Sequence, residues 1–390
     1  MSWPILEIQE FCRTGSGTTP SRTTAEFYDG HIPWVKSGEL RENTIMDTEE
    51  KVTAAALNET SLKLVPAGAL LVAMYGATVG RVGKLGIEAT TNQAVCHVVP
   101  DPKRADTQYM FHMLQAKAEE LIGRGVGGAQ PNISQGIIKQ LKIPLPPLEE
   151  QRRIAGILDQ ADALRRLRTR ALDKLNTLGQ AIFHEMFGDP SVNPMGWKMG
   201  QIGDLVTEAK YGSSSKANSE GRGLPILRMG NITYHGMLDL KDLKHLELSA
   251  PEIPKYTTRR GDLLFNRTNS KELVGKTAVV KRDEPYAIAG YLVRSRANEH
   301  GNTDYISGYL NSGHGKSTLV GMCKSIVGMA NINAKELQAI QIALPPKELQ
   351  DDFSRRIDAV APQREVFEGA LKQAESLFAS LQHRAFRGEL

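Results

Sequence analysis

The sequence predicts an α+β protein built twice over: two tandem, pseudo-symmetric mixed α/β domains separated by two long helices. Three observations carry that reading: an internal repeat, a strand-and-turn grammar that recurs in each half, and two apolar-seamed helical segments each opened by a Pro-Pro pair. The repeat is the strongest of them. Asn132-Ile133, Ile143, Leu145-Pro146-Pro147, Glu149, Gln151, Asp159, Ala171, Leu172, Leu178, His184 and Phe187 recur without a gap 199 residues later. The second copy reads Asn331-Ile332, Ile342, Leu344-Pro345-Pro346, Glu348, Gln350, Asp358, Ala370, Leu371, Leu377, His383 and Phe386. The fronts of the halves also correspond, Trp3, Ile8, Glu10 and Phe11 against Trp197, Ile202, Asp204 and Leu205, although the register wanders between front and back. Such a duplication implies a shared scaffold whose halves differ in what they recognise.

Residues 1–143 are expected to form the first globular domain. Its short strands are Trp34-Val35-Lys36, Ala69 to Met74 and Ala94 to Val99, set between Gly, Thr and Pro punctuation. Residues 144–190 form the first helical spacer. Residues 191–343 repeat the first grammar, with strands at Pro225 to Arg228, Asp262 to Phe265 and Tyr291 to Arg294, and residues 344–390 form the second spacer. A Pro-Pro pair cannot continue a strand or sit inside a helix, but it can start one.

The first spacer helix, from Leu148 to Phe187, places Ile154, Ile157, Ala161, Leu164, Ala171, Leu175, Leu178 and Ile182 at alternating three-and-four spacing, interrupted by Arg168. That is the spacing of a coiled-coil seam. The second carries Phe353, Val360, Phe367, Ala370, Ala374, Leu377 and Leu381, with Arg356 and Gln363 as polar interruptions and Pro362 expected to kink or divide it. At about 1.5 Å per residue each helix reaches roughly 60 Å, longer than a small domain needs. Packing of each helix on its own domain alone would leave the matched seams unexplained, so the two are expected to pair. Parallel and antiparallel pairing are both open to them. The antiparallel arrangement relates the halves by an approximate two-fold axis and is the predicted one, with Ile154, Ile157, Leu164, Leu175, Leu178, Phe353, Val360, Phe367 and Leu377 as helix-pairing or partner-docking residues.

Composition narrows the classes. Hydrophobic residues make up 41% and charged residues 24% of 390, ordinary for a globular protein large enough for two or three cores. No apolar run is long enough to span a membrane, and the first residues, with Glu7 and Glu10, do not read as a signal peptide. Cys12, Cys96 and Cys323 are odd in number and far apart, so they read as free thiols of a reducing, cytoplasmic setting. Residues 1–144 carry 14 Lys and Arg against 15 Asp and Glu, whereas residues 190–344 carry 20 against 14. A basic second domain favours an anionic partner.

The motifs of an enzyme are missing. Gly313-His314-Gly315-Lys316-Ser317-Thr318 resembles the end of a phosphate-binding loop, but the required first glycine is Leu310, and Tyr305 to Leu310 reads as helix rather than strand. The nine histidines show no metal spacing, and the matched His184 and His383 read as packing or capping residues. What recurs instead are polar, basic loops flanked by glycine. Lys36-Ser37-Gly38-Glu39 corresponds to Arg228-Met229-Gly230-Asn231, and Gly80-Arg81 to Gly275-Lys276. Beside them lie Asn92, Gln93, Gln130 and Asn132 in the first half and Arg267, Asn269 and Ser270 in the second. Arginine reads guanine edges bidentately, Asn and Gln read adenine, Lys and Ser hold phosphate, and glycine admits close backbone approach. Turn chemistry accounts for any one of these residues; the matched set points to DNA.

Taken together, Gln130 to Ser134 running into Ile143 to Gln151, its copy from Ala330 to Gln350, and Phe265 to Ser270 with Leu273 to Lys276 resemble the specificity subunits of Type I restriction-modification systems. The resemblance covers essentially the whole chain; Leu349 stands where the first junction has Glu150. It implies that each α/β unit is a target recognition domain for one half of a bipartite duplex target. It further implies that the helices set the gap and dock two methyltransferase subunits, and that restriction/translocase subunits join that core. S-adenosylmethionine, ATP and magnesium would then belong to the partner subunits, with no cofactor, metal or catalytic residue on this chain. The alternative reading is a duplicated protein-binding scaffold without DNA recognition.

Overall fold

The computed structural model describes residues 3–125, 132–323 and 330–390. They form two compact units, one of residues 1–168 with 371–390 and one of residues 169–370. Each unit thus holds one α/β body and parts of both long helices.

In the first unit a five-stranded sheet runs in the order Cys12–Ser16, Val95–Pro100, Leu70–Ala73, Val82–Leu85, Thr44–Ile45. Its strand Leu70–Ala73 is buried on both faces, so it reads as an unbroken apolar run rather than an alternating one. Leu70 and Val72 face the helix Thr107–Ala116 through Tyr109, Met110, Met113 and Leu114, whereas Leu71 and Ala73 pack with Val35, Leu40, Ile45 and Leu85. A three-stranded sheet of Glu50–Val52, Tyr28–Val35 and Thr90–Thr91 lies alongside, its last pair parallel. Ile5–Glu7 pairs antiparallel with Lys142–Pro144.

The second unit repeats this plan. Val206–Tyr211, Leu292–Ala297, Leu263–Asn266 and Thr277–Val279 form the large sheet, and Lys244–Leu246, Leu224–Leu227 and Ala287–Ile288 the small one, again with one parallel pair. Leu263 and Phe265 face the helix Thr303–Asn311, while Leu264 packs with Leu227, Ile232 and Ile288. Met199–Gln201 pairs with Gln341–Ala343 as Ile5–Glu7 does with Lys142–Pro144. Even the caps agree: Glu10 accepts from the Glu7 amide at 2.7 Å, and Asp204 from the Gln201 amide at 2.8 Å. The matched fronts of the sequence are therefore the same turn made twice.

A buried glutamine opens each long helix. The Gln151 side chain donates to the carbonyls of Pro146 (2.7 Å) and Arg104 (2.9 Å) and accepts from the Asp106 amide (2.8 Å). Gln350 donates to Pro345 (2.9 Å) and His300 (3.1 Å) and accepts from the Asn302 amide (2.9 Å). Asp106 and Asn302 are the N-caps of the two body helices. One carboxamide so ties the Pro-Pro entry, the preceding loop and a helix cap together, and it is fully buried in both units.

The long helices run Leu148–Phe187 and Lys347–Ala385. Gly188, at φ 72°, ends the first in the left-handed conformation that favours glycine. Pro362 does not divide the second helix, which continues through it. The residue is exposed, and packed residues on either side, Phe353 and Ala374, are each buried in their own unit. Within each unit the helices lie antiparallel. In the first, Arg153 donates to the Leu390 carbonyl (3.1 Å) and the Arg165 guanidinium lies 5.1 Å from the Phe378 ring, so one helix ascends as the other descends. In the second, Phe187 meets Phe353 at 5.5 Å, while Gly179 lies beside Ile357.

The seam differs from the heptad expectation. Ile154 and Phe353 are buried and Ile157, Leu175, Leu178, Val360 and Phe367 are half-buried, but Leu164 and Leu377 stand 38% and 48% exposed. Ala155, Leu158, Phe183 and Phe187, with Phe378 half-buried and Ala385 buried, pack in their place. The reason is geometric. Where a helix end lies on a broad α/β body it needs a stripe wider than the narrow two-stranded seam, and an undistorted helix drifts off a strict heptad.

Substituting Gln350→Ala leaves the Pro345 and His300 carbonyls and the Asn302 amide without this partner, so it should destabilise the second unit by on the order of 3 kcal/mol. Urea unfolding monitored by Trp197 fluorescence in a chain with Trp3 and Trp34 replaced by Phe, with and without Gln350→Ala, measures it; a loss below about 1 kcal/mol would show that the clamp is not structural.

Candidate nucleic-acid interface

The matched loops of the sequence are matched turns in the structure. Residues Ser37–Glu39 and Met229–Asn231 form single 3-10 turns, closed by Glu39 accepting from the Lys36 amide (2.7 Å) and Asn231 from the Arg228 amide (2.9 Å). Gly80 and Gly275 both lie at positive φ, 79° and 80°, and their amides donate to Ala73 and Asn266, both at 2.8 Å. A Cβ at either would strike Ile122 or Leu319, so glycine here serves the hairpin.

Several candidates are occupied by the protein itself. Lys36 is held by Glu49 and Glu50, both at 3.0 Å, and these carboxylates raise its pKa, Glu50 foremost. Arg228 pairs with Asp242 at 3.2 Å and donates to its carbonyl at 3.0 Å. Asn231 is buried and donates to the carbonyls of Asp239 and Asp242, so it is a scaffold residue and not a reader of bases. A short amide after a glycine reads alike in sequence whether it faces inward or outward. Lys276 is half-buried, donates to the Met229 carbonyl at 3.1 Å, and burial lowers its pKa.

Others remain outward. Arg81, Gln93 and Asn132 are exposed. Asn92 is half-buried with its Oδ1 enclosed and unpartnered among the described residues. Gln130 lies outside the described residues. Asn269 and Ser270 are half-buried, and Asn269 accepts from the Ser270 amide at 2.9 Å. Arg267 donates through Nε to Asn331 Oδ1 (3.3 Å) and lies 4.7 Å from the Tyr211 ring. Tyr211, 42% exposed, escaped the sequence reading; its only sequence signal is an aromatic closing a strand.

The phosphate-loop look-alike is helical. Gly313-His314-Gly315-Lys316 opens the helix Gly313–Met322, capped by Ser312 and preceded by another helix, and the Lys316 ammonium sits 3.5 Å from the Tyr234 ring. Cys12, Cys96 and Cys323 are free, and burial pushes the Cys12 and Cys96 thiols up to about 12. Among the described residues no group of three or more His, Cys, Asp or Glu is placed to hold a metal, and no helix is long and apolar enough to cross a membrane.

Two α/β bodies on one plan, carrying different side chains on matched turns, define a duplicated recognition protein. Residues 2–177 and 194–374 each match the Type I restriction modification DNA specificity domain, and the chain belongs to that family. It is 25% identical over 416 residues to the EcoKI Type I restriction enzyme specificity subunit of Escherichia coli, covering all of this chain and 89% of that one. It is 25% identical over 290 residues to the MjaIX specificity subunit of Methanocaldococcus jannaschii, covering 68% of this chain and 66% of that one. The fold is shared with the S subunit crystal structure from M. genitalium, at TM-score 0.57 and 14% identity over 99% of this chain and 96% of that one. A chain of a solved type I R-M system gives the same TM-score, 0.57, at 20% identity over 100% of this chain and 98% of that one. The role is DNA specificity, and the protein-scaffold alternative is not favoured.

Because Asn231 holds a turn, Asn231→Ala should lower unfolding stability by about 2 kcal/mol without changing which duplex sequence is selected. Melting curves together with sequencing of selected duplexes check it; a changed sequence preference at unchanged stability would return Asn231 to the reading surface.

Proposed function

We propose that each α/β unit reads one half of an asymmetric, interrupted duplex target, while the long helices set the gap and dock two methyltransferase subunits. Restriction/translocase subunits join that core. Methyl transfer and cleavage are the work of those partners, which bind S-adenosylmethionine, ATP and magnesium; this chain contributes recognition. The observation that carries the reading is that one hydrogen-bonded frame presents different side chains in its two copies. Exposed Leu164, Leu167, Val366 and Leu377 on the long helices offer apolar surface for the methyltransferase subunits.

The test is duplex binding by the chain with its methyltransferase partner. Sequence-selective affinity that falls steeply with salt is expected, because phosphate contacts release counterions. Replacing residues 1–143 by the corresponding body of another specificity subunit should alter one half-site only. A replacement that altered both would defeat independent reading.

The ruler role yields a length prediction. Four residues inserted after Arg168 and four after Ala370 lengthen both antiparallel helices by about 6 Å with near-preserved phase. At about 3.4 Å per base pair the preferred gap should grow by one or two base pairs, with both half-sites unchanged. Methylation of targets differing only in gap length measures this, and an unmoved optimum in a stably folded variant would show that the helices are not the ruler.

A further inference from the structure

We propose that Tyr211 and Asn331 are positioning residues that aim the Arg267 guanidinium at the major-groove edge of a guanine in the second half-site. The inference rests on the DNA reading above and names the chemistry of one contact within it.

The three residues form a built arrangement. Arg267 follows the buried strand Leu263–Asn266, and its backbone is fixed on both sides, its amide donating to Tyr291 (3.0 Å) and its carbonyl accepting from Ile332 (2.9 Å). The Tyr211 ring lies 4.7 Å beneath the guanidinium, and its hydroxyl accepts from the Ala334 amide at 3.0 Å, so the ring is held at its far end. Asn331 Oδ1 takes the Nε proton at 3.3 Å. Plane and edge of the guanidinium are thus both set, and among the described residues no acceptor engages Nη1 or Nη2. Two parallel N–H donors on a rigid plane match the O6 and N7 acceptors of guanine, whereas a mobile ammonium would serve a phosphate as well. Lys36 Nζ, Arg228 Nη2 and Lys276 Nζ, by contrast, are turned onto carboxylates or carbonyls.

The first unit shows what the same place holds without this device. Ile133 donates to the Met74 carbonyl at 2.7 Å as Ile332 does to Arg267, which makes Met74 the counterpart of Arg267. Gly17 donates to Val95 as Gly212 does to Leu292, both at 3.1 Å, which sets Ser16 opposite Tyr211. Ser16 bonds to Gln135, the repeat partner of Ala334, at 3.3 Å, and Met74 is buried. A stacked cation in one copy and a neutral cluster in the other is the pattern expected of a specificity-determining place.

The experiment uses the full chain with its methyltransferase partner and a pool of random-sequence duplexes, followed by affinities on single-substitution duplexes. Arg267→Ala should lose discrimination of roughly 5- to 150-fold at one G·C pair of the second half-site and leave the first half-site unchanged. Arg267→Lys should lose the same discrimination, because the fork is gone while the charge remains. Tyr211→Leu and Asn331→Ala should weaken discrimination at that same pair, and neither should add to Arg267→Ala in a double variant. Tyr211→Phe, which keeps the ring and loses only the hydroxyl, should retain it; melting curves identify any variant that fails to fold. Full discrimination in Arg267→Lys or Tyr211→Leu, additive double variants, or losses spread evenly over all positions would overturn the proposal. A wild-type complex that selects no sequence would instead overturn the DNA reading on which it rests.

Discussion

The rest of the structure hangs on a single buried carboxamide, used twice. A glutamine side chain has one strong acceptor and two donor hydrogens, and at Gln151 and Gln350 all of this capacity is spent on backbone groups of the adjoining chain. The groups belong to three different pieces of chain: the Pro-Pro entry, the loop before the body helix, and the cap of that helix. The start of each long helix is therefore bonded to the body it leaves. Tyr109 and Tyr305, three residues beyond the caps, extend the tie by donating to the carbonyls of Pro144 and Ala343 at 2.8 and 2.9 Å.

The far ends of the helices explain the other repeated residues. Phe187, ending the first long helix, packs 4.7 Å from Tyr305 of the second body; Phe386, its repeat, packs 5.7 Å from Tyr109 of the first. Each compact unit is completed by the end of the helix that belongs to the other sequence repeat. Burying such a ring contributes about 2 kcal/mol, so neither repeat cut at its sequence boundary would retain its core intact. The unit of duplication and the unit of packing are different objects. That is why Phe187 and Phe386 recur, each packing on the body helix of the other repeat.

Much of this was legible in the residues alone. Buried strands announced themselves as short apolar runs, Leu70 to Ala73 and Leu263 to Phe265, because both faces are covered. The long helices were announced by the Pro-Pro pairs at their starts. The helix seam was misread at Leu164 and Leu377, which stand exposed while Leu158 and Phe378 pack inward, because periodicity alone cannot distinguish a helix that meets another helix from one that meets a sheet-backed body. Asn231 and Lys276 were misplaced for a related reason: polar residues beside glycine look the same whether they bond inward or outward. Arg294 carried no sign of its burial, yet it is 1% exposed in a strand and neutralised by Glu208 at 2.9 Å and Asp262 at 3.8 Å. Such a charge is intelligible only once its partners from separate parts of the chain are seen together.

The two halves could diverge in recognition because the frame is held by backbone groups. At 74 and 267 the main-chain amide and carbonyl are satisfied by equivalent neighbours in both units, Ala94 and Ile133 in the first and Tyr291 and Ile332 in the second. Side chains there change without removing a ladder bond, and buried polar groups are costly only where they lose partners. Gln151 and Gln350 are the opposite case, since the side chain itself is the partner of three backbone groups, and no other residue type of that size offers one acceptor and two donors except asparagine, which is one methylene too short. Constraint and freedom thus divide along a chemical line. Positions whose side chains satisfy the backbone keep their identity between the copies, and positions whose backbones satisfy one another are open to carry a methionine in one half and a stacked arginine in the other.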